Sequence, residues 1–544
     1  MVSNSTSHSA QSSGEYRQKT IAQMAAELAD QRPDEVAIYV EDDNHITFGS
    51  VYQEALMLAA ALQNSGLVAG DIVSFQLPNW RESAALDIAA ALLGLVVNPI
   101  IPIYRDKEVG FILADTKAKV VLIPQRFRGY DFPAMIERLR PQLANLQQVV
   151  VVRGDAPSQG DGFVDYIAYL EGAAAHSLVP AEVDCSSTKI VMYTSGTTGN
   201  PKAVRHSHNS LTKAFDNGAE AWQLGRGDVM LMPSPVTHIT GFVNGIELPF
   251  FCEAKAAFME QWQVDAAITY MKRIDATACI SATPFLQELV NACAKSGERL
   301  PLLRMFACGG ASVPPSLIYD THRVLENCRA FRVYGSTESP LVTVGFRLPE
   351  QETLAAETDG YIFNWQVRIE DDDGNALPLG RDGEVLVRGP AMMQGYANSE
   401  QTQQAITEDG FFRTGDIGHI TNDGAIVITD RKKDIIIRGG ENLSAREIED
   451  VLHAHPSIEQ VAIVAMPHER LGEGVCACVV LSAKQELTLD SLKSFLATTG
   501  LAKQKWPEKL HIKSSLPMTA SGKVKKDVLR NEIKAPADAV VEQS

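Results

Sequence analysis

One nine-residue segment of the chain, Thr194 to Lys202 (TSGTTGNPK), carries residue types that are suited to binding phosphate. It offers hydroxyl donors, glycines whose backbone N–H groups can approach a ligand closely, and one lysine. This composition is also typical of a flexible surface loop, but a lysine directly after the Asn200-Pro201 turn favours an anion. The spacing is not that of a P-loop NTPase. Strand-like runs flank the segment at 189–193 and 203–206, so we predict a phosphate-binding loop of another kind.

Two further polar turns follow predicted strands. The strand-like run 330–333 ends in Tyr334-Gly335-Ser336-Thr337-Glu338-Ser339, and another ends in Gly309-Gly310-Ala311-Ser312. Ligands of open α/β sheets bind at the carboxyl ends of the strands. We therefore expect both turns and the phosphate loop to face one crevice. There the single carboxylate of Glu338 is suited to a hard cation such as Mg²⁺.

Two charged residues in other predicted turns complete the candidate site. Asp416, in the sequence Thr414-Gly415-Asp416, could accept hydrogen bonds from two sugar hydroxyls. Lys523 ends the turn Met518 to Lys523, which we expect to be flexible. Each feature alone is typical of an ordinary turn or of a solvated charge. A phosphate cradle, two carboxylates suited to a metal and to ribose, and a mobile lysine together indicate a nucleotide site.

The overall composition argues against several classes of protein. A net charge of −18 argues against a nucleic-acid partner. The apolar runs are too short for a membrane span, and the Ser-rich N-terminus lacks the basic and apolar regions of a signal peptide. The eight cysteines lack the spacing of a disulfide framework or a metal site. We therefore expect a cytoplasmic protein, and the sequence leaves a homodimer open.

Helical and strand-like patterns alternate along most of the chain, which predicts an α/β fold with parallel-sheet layers. From about 360 to 430, Asp-Gly pairs separate short β-like runs, which indicates hairpins and a small β-barrel-like part. These pairs are Asp359-Gly360, Asp373-Gly374, Asp382-Gly383, Asp409-Gly410 and Asp423-Gly424. We expect a disordered tail at 1–15, an N-terminal domain at 16–432, a small mobile α+β domain at 433–534 and a second tail at 535–544.

These motifs resemble those of the adenylate-forming superfamily, which includes acyl-CoA synthetases, luciferases and the adenylation domains of peptide synthetases. The resemblance extends from about Thr20 to Arg530, and the N-terminal half is most similar to ligases for medium-chain and cyclohexane-type carboxylates. The matching motifs are Tyr193 to Lys202 (phosphate loop), Tyr334 to Glu338 (adenine and magnesium), Thr414 to Asp416 (ribose), Asp430-Arg431 with Gly439 to Asn442 (hinge and pantetheine loop) and Pro517 to Lys526 (C-terminal lysine).

The resemblance implies a ligase that works in two steps. A small-molecule carboxylic acid attacks ATP to give an acyl-adenylate and pyrophosphate, and coenzyme A then displaces AMP. Mg²⁺ would be held by Glu338 and Thr198, while Thr337 would contact the α-phosphate and Tyr334 would stack on adenine. The residues expected to bind ATP and AMP are Thr194, Ser195, Gly196, Thr197, Thr198, Gly199, Lys202, Gly310, Ala311, Tyr334, Gly335, Asp416 and Arg431.

The resemblance also assigns roles to the C-terminal domain. Lys523 would bridge the carboxylate and the α-phosphate as a movable point charge. The hinge position falls on Lys433, about which the small domain would rotate between the two steps. Rotation would remove Lys523 and bring in Gly439, Gly440 and Glu441, where the missing side chains of the glycines leave a tunnel for pantetheine.

The acyl pocket is expected to be apolar. His238 matches the family's aromatic gate, although a lone histidine near a strand end is more often a hydrogen-bonded core residue. The expected pocket residues are Val236, His238, Ile239, Phe242, Pro284, Phe285, Gly309, Gly310 and Leu341. They include no Lys or Arg, which favours a neutral aliphatic, alicyclic or aromatic monocarboxylate over a diacid or an amino acid.

Three functions compete for this sequence. The Gly-Gly-Glu-Asn-Leu sequence at 439–443 favours a carboxylate–CoA ligase, which would act in fatty acid metabolism. An adenylation enzyme that loads a carrier protein with an amino acid would need an acidic pocket residue, and 237–242 contains none. A non-catalytic nucleotide-binding homologue is disfavoured because Glu338 and Lys523 are both present. A luciferase-type oxygenation stays open, with no sequence feature in its favour.

Overall fold

The computed structural model describes residues 16–42, 45–157, 162–173, 178–194, 201–483, 485–519 and 523–534. Two large sheets, mainly parallel and flanked by helices, form most of these ranges, and two smaller sheets follow them along the chain. The predicted α/β fold class is therefore confirmed. The predicted tails, 1–15 and 535–544, lie outside the described residues. Within the described ranges, no helix combines the length and the hydropathy that crossing a membrane requires.

Several helices begin at residues whose side chains satisfy free backbone N–H groups. At the first helix, Thr20 and Gln23 form a reciprocal capping box, and the Ser444 side chain accepts a hydrogen bond from the Glu447 N–H. The α-helices are α1 Ile21–Gln31, α2 Phe48–Asn64, α3 Arg81–Leu93, α4 Asp106–Thr116, α5 Phe132–Leu139, α6 Tyr166–Glu171, α7 His208–Trp222, α8 Ile239–Gly241, α9 Leu248–Cys252, α10 Val264–Arg273, α11 Thr283–Ser296, α12 Pro315–Val324, α13 Glu352–Glu357, α14 Ser399–Ala405, α15 Ala445–His453, α16 Leu489–Leu496 and α17 Lys526–Lys534.

Several strands of the large sheets, such as Val120–Pro124 and Val229–Met232, have continuous apolar sequences because helices cover both faces of such sheets. The strands are β1 Val36–Tyr39, β2 Ile46–Thr47, β3 Ile72–Phe75, β4 Val96–Pro99, β5 Val120–Pro124, β6 Arg126–Phe127, β7 Tyr130–Asp131, β8 Gln148–Val152, β9 Phe163–Asp165, β10 Thr188–Thr194, β11 Lys202–Ser207, β12 Val229–Met232, β13 Lys255–Phe258, β14 Ala278–Ser281, β15 Met305–Gly309, β16 Arg329–Val333, β17 Gln366–Glu370, β18 Gly383–Arg388, β19 Gly395–Tyr396, β20 Phe412–Ile420, β21 Ile426–Arg431, β22 Ile436–Arg438, β23 Glu441–Leu443, β24 Ile458–His468, β25 Gly472–Leu481 and β26 Lys509–Lys513.

The two large sheets bring distant segments together. In the first, the order is β16-β15-β14-β12-β13-β1-β2, and its pairs are parallel except for β1 with β2. In the second, the order is β19-β11-β10-β4-β3-β5-β8-β9, with antiparallel pairs from β10 to β19. Parallel strands within one sheet end at the same edge, so the turns that follow β15 and β16 are neighbours.

The β-rich part predicted at 360–430 is an antiparallel sheet of order β17-β18-β20-β21. Asp423-Gly424 lies in the turn between β20 and β21, where the Gly424 N–H donates to the Thr421 carbonyl at 3.0 Å. Asp359-Gly360 is different, and its interpretation as a hairpin turn is wrong. Asp359 and Gly360 follow the helix α13, so they do not connect two strands of a hairpin, and the buried Asp359 side chain forms an ion pair with Arg332 at 2.7 Å.

The C-terminal sheet has the order β23-β22-β25-β24, and β26 pairs with β25 in parallel. Cys476 and Cys478 are buried in its β25 strand, as expected for core thiols. Helix α15 also contacts the larger part of the protein. Ser312 Oγ donates to Asp450 Oδ1 at 3.0 Å, and Arg446 lies 3.4 Å from Asp359.

Candidate active site

The candidate site lies at the carboxyl ends of β15 and β16, where Gly309 pairs with Val333. A Cβ atom at Gly309 would lie 2.5 Å from the Val333 carbonyl oxygen, so the close approach of these strands requires glycine. The next residue, Gly310, has a positive φ of 80° and turns the chain away. The turns Gly309 to Ser312 and Tyr334 to Ser339 are therefore side by side.

Asp416 connects the Tyr334 turn to the antiparallel sheet. The Tyr334 hydroxyl donates to Asp416 Oδ2 at 2.7 Å, and Arg431 Nε lies 2.8 Å from Asp416 Oδ1. Asp416 and Arg431 are opposite each other on β20 and β21. Burial and the Asp416 carboxylate raise the pKa of Tyr334, so the phenol stays protonated and donates a hydrogen bond to Asp416.

The prediction that Thr414-Gly415-Asp416 is a turn is wrong. These residues lie inside β20, where the register with β18 shifts and Gly415 has a positive φ of 71°. The Thr414 hydroxyl donates to the Val385 carbonyl at 2.7 Å and accepts the Asp416 N–H at 3.1 Å. The segment is a β-bulge, which directs the Asp416 side chain while the strand continues.

Lys523 comes from the C-terminal end of the chain to the same place. The Thr519 N–H donates to the Lys523 carbonyl at 2.6 Å, and residues 520–522 of the predicted flexible turn lie outside the described residues. A Cβ atom at Gly310 would lie 3.7 Å from Lys523 Cε. Desolvation and then the positive charge of Arg431 lower the pKa of Lys523 to about 8, against the opposing effect of Asp416 and Glu338. An anion bound beside Lys523 would favour the protonated, charged form of its side chain.

The Glu338 side chain is held by a hydrogen bond from β19, the strand that pairs with β11 at the end of the phosphate loop. The Tyr396 hydroxyl donates to Glu338 Oε1 at 3.0 Å, and Lys202 Nζ lies 4.9 Å from the centre of the Tyr396 ring. Tyr396 pairs with Val204 of β11. Sequence reasoning missed Tyr396, because nothing in the Gly395-Tyr396 sequence points to Glu338. The tyrosine places the Glu338 carboxylate near the lysine that ends the phosphate loop.

Thr337 is positioned by a second residue that sequence reasoning missed. The His206 Nε2–H donates to the Thr337 carbonyl at 2.7 Å, and the other ring nitrogen lies 3.2 Å from Ser210 Oγ. Burial lowers the pKa of His206 to about 4, so the ring is neutral at physiological pH. The histidine ties the Thr337 turn to β11.

The phosphate-loop segment itself connects two paired strands. Thr194 at the end of β10 pairs with Lys202 at the start of β11. Before the segment, the Tyr193 hydroxyl donates to Asp115 Oδ2 at 2.5 Å. The predicted site residues Ser195, Gly196, Thr197, Thr198 and Gly199 lie outside the described residues.

The predicted acyl residues Val236, Ile239 and Phe242 are buried in one short segment. His238 caps α8, and its carbonyl accepts the Phe242 N–H at 2.8 Å, so His238 and Phe242 share one helix face. Burial and then the charge of Lys523 lower the pKa of His238 to about 4, which links this segment to the Lys523 site.

The other predicted acyl residues come from separate elements. Pro284 and Phe285 lie in the first turn of α11, and the Phe285 ring packs edge-on against Trp262 at a centroid distance of 5.0 Å. Leu341 has a positive φ of 53°, and its carbonyl accepts the Trp365 Nε1–H at 3.1 Å. A Cβ atom at Gly335 would lie 2.5 Å from the backbone nitrogen of Leu341. Leu341 therefore packs closely against the turn Tyr334 to Ser339.

The predicted hinge and coenzyme A residues lie on the C-terminal side of the molecule. Lys433 is in the turn between β21 and β22. Gly439, Gly440 and Glu441 are exposed in the β22–β23 hairpin, where the Gly439 N–H donates to the Leu471 carbonyl at 2.8 Å. This hydrogen bond lies within the C-terminal sheet, whereas Lys523 lies beside Gly310 of the larger part of the protein.

A magnesium ion fits the residues present only together with a ligand. The described residues contain no group of three or more His, Cys, Asp or Glu side chains that could hold a metal. Mg²⁺ is usually bound by one or two carboxylates together with substrate phosphates. Glu338 fits that pattern, since its carboxylate stands beside the strands that carry the phosphate loop.

The chain matches two protein families and resembles proteins of known activity. Residues 25–397 match the AMP-binding enzyme family, and residues 447–523 match the AMP-binding enzyme C-terminal domain. The chain is 34% identical to a medium-chain fatty-acid–CoA ligase of Escherichia coli, over 95% of this chain and 92% of the relative. It is 32% identical to an indoleacetate–CoA ligase of Aromatoleum aromaticum, over 87% and 90% of the two chains.

Solved structures share the fold. The crystal structure of an anthranilate CoA ligase in complex with anthranoyl-AMP superposes with a TM-score of 0.85, covering 95% of this chain and 98% of the other at 21% identity. ATP-bound MatB from Rhodopseudomonas palustris gives a TM-score of 0.81 at 26% identity, covering 94% of this chain and 99% of the other. The family matches span most of the chain, and the chain therefore belongs to the adenylate-forming AMP-binding enzyme family.

Proposed function

We propose that this AMP-forming acid–thiol ligase, which uses ATP, coenzyme A and Mg²⁺, converts an apolar monocarboxylic acid into its coenzyme A thioester. The observation that carries the proposal is the position of Lys523 beside Gly310, within the electrostatic influence of Glu338, Asp416 and Arg431. A lysine from the far end of the chain at this place is suited to a reaction between two anions. The proposed division into a large domain and a mobile domain from residue 433 rests on the same arrangement.

In the first proposed step, a carboxylate oxygen attacks the α-phosphorus of ATP, and the bond to the β-phosphate oxygen breaks to release pyrophosphate. Both reactants are anionic, so fixed positive charge and donors are needed where they meet. Lys523 would contact the carboxylate and the α-phosphate, and Lys202 would contact the outer phosphates. Asp416 would accept the ribose hydroxyls. Glu338 and the phosphate oxygens would hold Mg²⁺, which neutralises phosphate charge when it is bound.

In the second proposed step, the coenzyme A thiolate attacks the acyl carbon, and AMP leaves with the electrons of the acyl–oxygen bond. Gly439 and Gly440 would line the pantetheine path. Both glycines are exposed and lie in the C-terminal hairpin, so the module would have to rotate about Lys433 to bring them to the acyl group. We infer that the arrangement described here is the one used for adenylation.

The proposed substrate is an acid with an apolar tail. Val236, Ile239 and Phe242 are buried, and His238 beside them is neutral because its pKa is lowered to about 4. The relatives in Escherichia coli and Aromatoleum aromaticum are named for medium-chain fatty acids and for indoleacetate. Both are monocarboxylates with largely apolar tails. A cytoplasmic location is part of this proposal, since the eight cysteines are free thiols.

The experiment that tests the proposal measures both half-reactions across a panel of aliphatic, alicyclic and aromatic acids. Pyrophosphate exchange reports adenylation, and thioester formation from supplied acyl-adenylate reports the second step. We expect Lys523→Ala to lower pyrophosphate exchange by about 10²–10³-fold while the second step largely survives. Equal loss in both steps would contradict the role of Lys523. Transfer to a carrier protein but not to coenzyme A would show an adenylation enzyme instead, and absence of exchange with every acid would overturn the proposed function.

A further inference from the structure

A cluster of buried charges lies behind the proposed acyl segment. Lys189 Nζ is 2.6 Å from Glu247 Oε1 and 3.1 Å from Asp87 Oδ2. Lys189 is 2% exposed, and Glu247 and Asp87 are each 1% exposed. They come from three different elements, β10, the segment before α9, and α3. We call Asp87, Lys189 and Glu247 the buried charge cluster.

The buried charge cluster is a poor way to stabilise a core. Two carboxylates share one ammonium, and Asp87 Oδ1 accepts no hydrogen bond from the described residues. Burial raises the pKa of Glu247, and the Lys189 ammonium opposes this rise, so the ammonium is needed to keep the carboxylate charged. Nearby His208 adds no charge, because burial and then Lys189 lower its pKa to about 3. Apolar side chains often replace such clusters without loss of stability, so its presence calls for a positional role.

Glu247 ends an unusual helical segment. Residues Phe242–Glu247 form a π-helix between α8 and α9. Pro249 follows in the first turn of α9, and its ring would collide with the carbonyl four residues earlier in a regular α-helix. The wider π-turn accommodates the proline, and π-turns within helices are frequent at functional sites. Gly245 lies in this turn, where a Cβ atom would be 3.1 Å from Met232 Cγ.

The π-helix connects the buried charge cluster to the proposed acyl pocket. Phe242 is its first residue and Glu247 its last. Phe242 lies one turn after His238, whose pKa is lowered by burial and then by the charge of Lys523. Lys189 Nζ lies 6.0 Å from the centre of the Phe242 ring. Lys189 is also held in β10, the strand that leads into the phosphate loop, so its position is set by the sheet.

We propose that Glu247 is a positioning residue that, through its ion pair with Lys189, holds the π-helix and thereby sets where the Phe242 ring stands in the acyl pocket. The inference rests on the proposed function, because it assigns Phe242 to the wall of that pocket. Its consequence is that the ion pair determines which acid shapes are accepted. The ion pair does not touch the reacting atoms.

The buried charge cluster supplies its own matched control. Glu247→Gln and Asp87→Asn each remove one carboxylate from the same ammonium and leave Lys189 paired with the other. Only Glu247→Gln removes the ion pair that joins the π-helix to β10. The measurement is kcat/KM in pyrophosphate exchange for an extended acid, octanoate, and a compact acid, benzoate, together with KM for ATP and a melting curve.

We expect Glu247→Gln to change the ratio of the two kcat/KM values by at least about fivefold, with KM for ATP unchanged. Asp87→Asn should keep the wild-type ratio within about twofold. Glu247→Asp, which keeps the charge but shortens the side chain, should shift the ratio too, and it decides the question if Glu247→Gln does not fold. An unchanged ratio in folded Glu247 variants, or equal shifts in the Glu247 and Asp87 variants, would overturn the inference. Failure of the wild-type protein with all acids would instead refute the proposed function.

Discussion

Lys523 is the residue whose protonation state matters most for the proposed first step. Its pKa is lowered from 10.5 to about 8, so the free protein loses the ammonium charge as the pH rises through about 8. We expect kcat/KM for pyrophosphate exchange to fall above about pH 8. Bound phosphate should delay the fall, because an anion favours the charged lysine.

The matching substitution is Lys523→Arg, since a guanidinium stays charged in this pH range. The variant should be slower, because its planar group replaces a point charge, but the fall in kcat/KM near pH 8 should disappear. Rate–pH profiles of the two proteins are the measurement. A variant that shows the same fall near pH 8 would assign this titration to another group.

Glu338 is the second residue with a testable charge. Glu338→Gln keeps the size of the side chain and the partner of the Tyr396 hydroxyl, but it removes the charge that would hold Mg²⁺. The Mg²⁺ concentration for half-maximal pyrophosphate exchange should rise by about tenfold or more, as expected for the loss of an ionic ligand. Titration of the rate with Mg²⁺ checks this.

A control for Glu338→Gln exists elsewhere in the chain. Glu357 accepts a hydrogen bond from the Tyr319 hydroxyl at 3.2 Å at the protein surface. Glu357→Gln should leave the Mg²⁺ dependence unchanged. If the two variants behave alike, the Glu338 carboxylate is structural.

At the level of elements, the β-bulge in β20 positions Asp416. Gly415 has a φ of 71°, and among the described residues no atom other than those of Gly415 and its chain neighbours lies within 4 Å of the place where its Cβ would be. Gly415→Ala therefore adds backbone strain of about 1–2 kcal/mol without a collision. We expect a lower melting temperature and a several-fold higher KM for ATP, because the bulge aims Asp416 at the site.

The β20–β21 hairpin offers the matched glycine. Gly424 has a φ of 75° and equally open surroundings. Gly424→Ala should lower the melting temperature by a similar amount but leave KM for ATP unchanged. An equal rise in KM in both variants would mean that the bulge has no special role in ATP binding.

At the level of the whole molecule, the C-terminal sheet is attached by contacts that a rotation would have to break. Arg446 lies 3.4 Å from Asp359, and Ser312 Oγ donates to Asp450 at 3.0 Å. The linking turn is hydrogen-bonded through the N–H groups of Lys432, Asp434 and Ile435. Proline at position 433 removes none of these three bonds.

Lys433→Pro is therefore a test of the proposed hinge. Proline restricts φ to about −65°, so a residue that must change its backbone angles in each turnover would be held in one state. We expect pyrophosphate exchange to persist while thioester formation collapses, since Lys523 is already at the site. Both half-reactions and a melting curve should be measured on one preparation. Parallel loss of both at an unchanged melting temperature would refute the hinge.

The sequence by itself was enough for the fold class, the family and the positions of several elements. The strand Val229–Met232 and the helices Ala445–His453 and Leu489–Leu496 are examples, because each coincides with a local pattern of apolar residues. The turns at the ends of β15 and β16 could be placed together for a related reason. Parallel strands of one sheet end at a common edge, so the order of elements implies the neighbourhood.

Only the tertiary structure decided the partners of the candidate site residues. Tyr396 is 58 residues from Glu338, and His206 is 131 residues from the Thr337 carbonyl that it contacts. Lys189 and Asp87 are 102 residues apart, and both look like ordinary surface charges in the sequence. The β-bulge at Gly415 depends on the register of β20 against β18. Such pairings depend on how sheets and helices pack, and no local pattern of residue types encodes that packing.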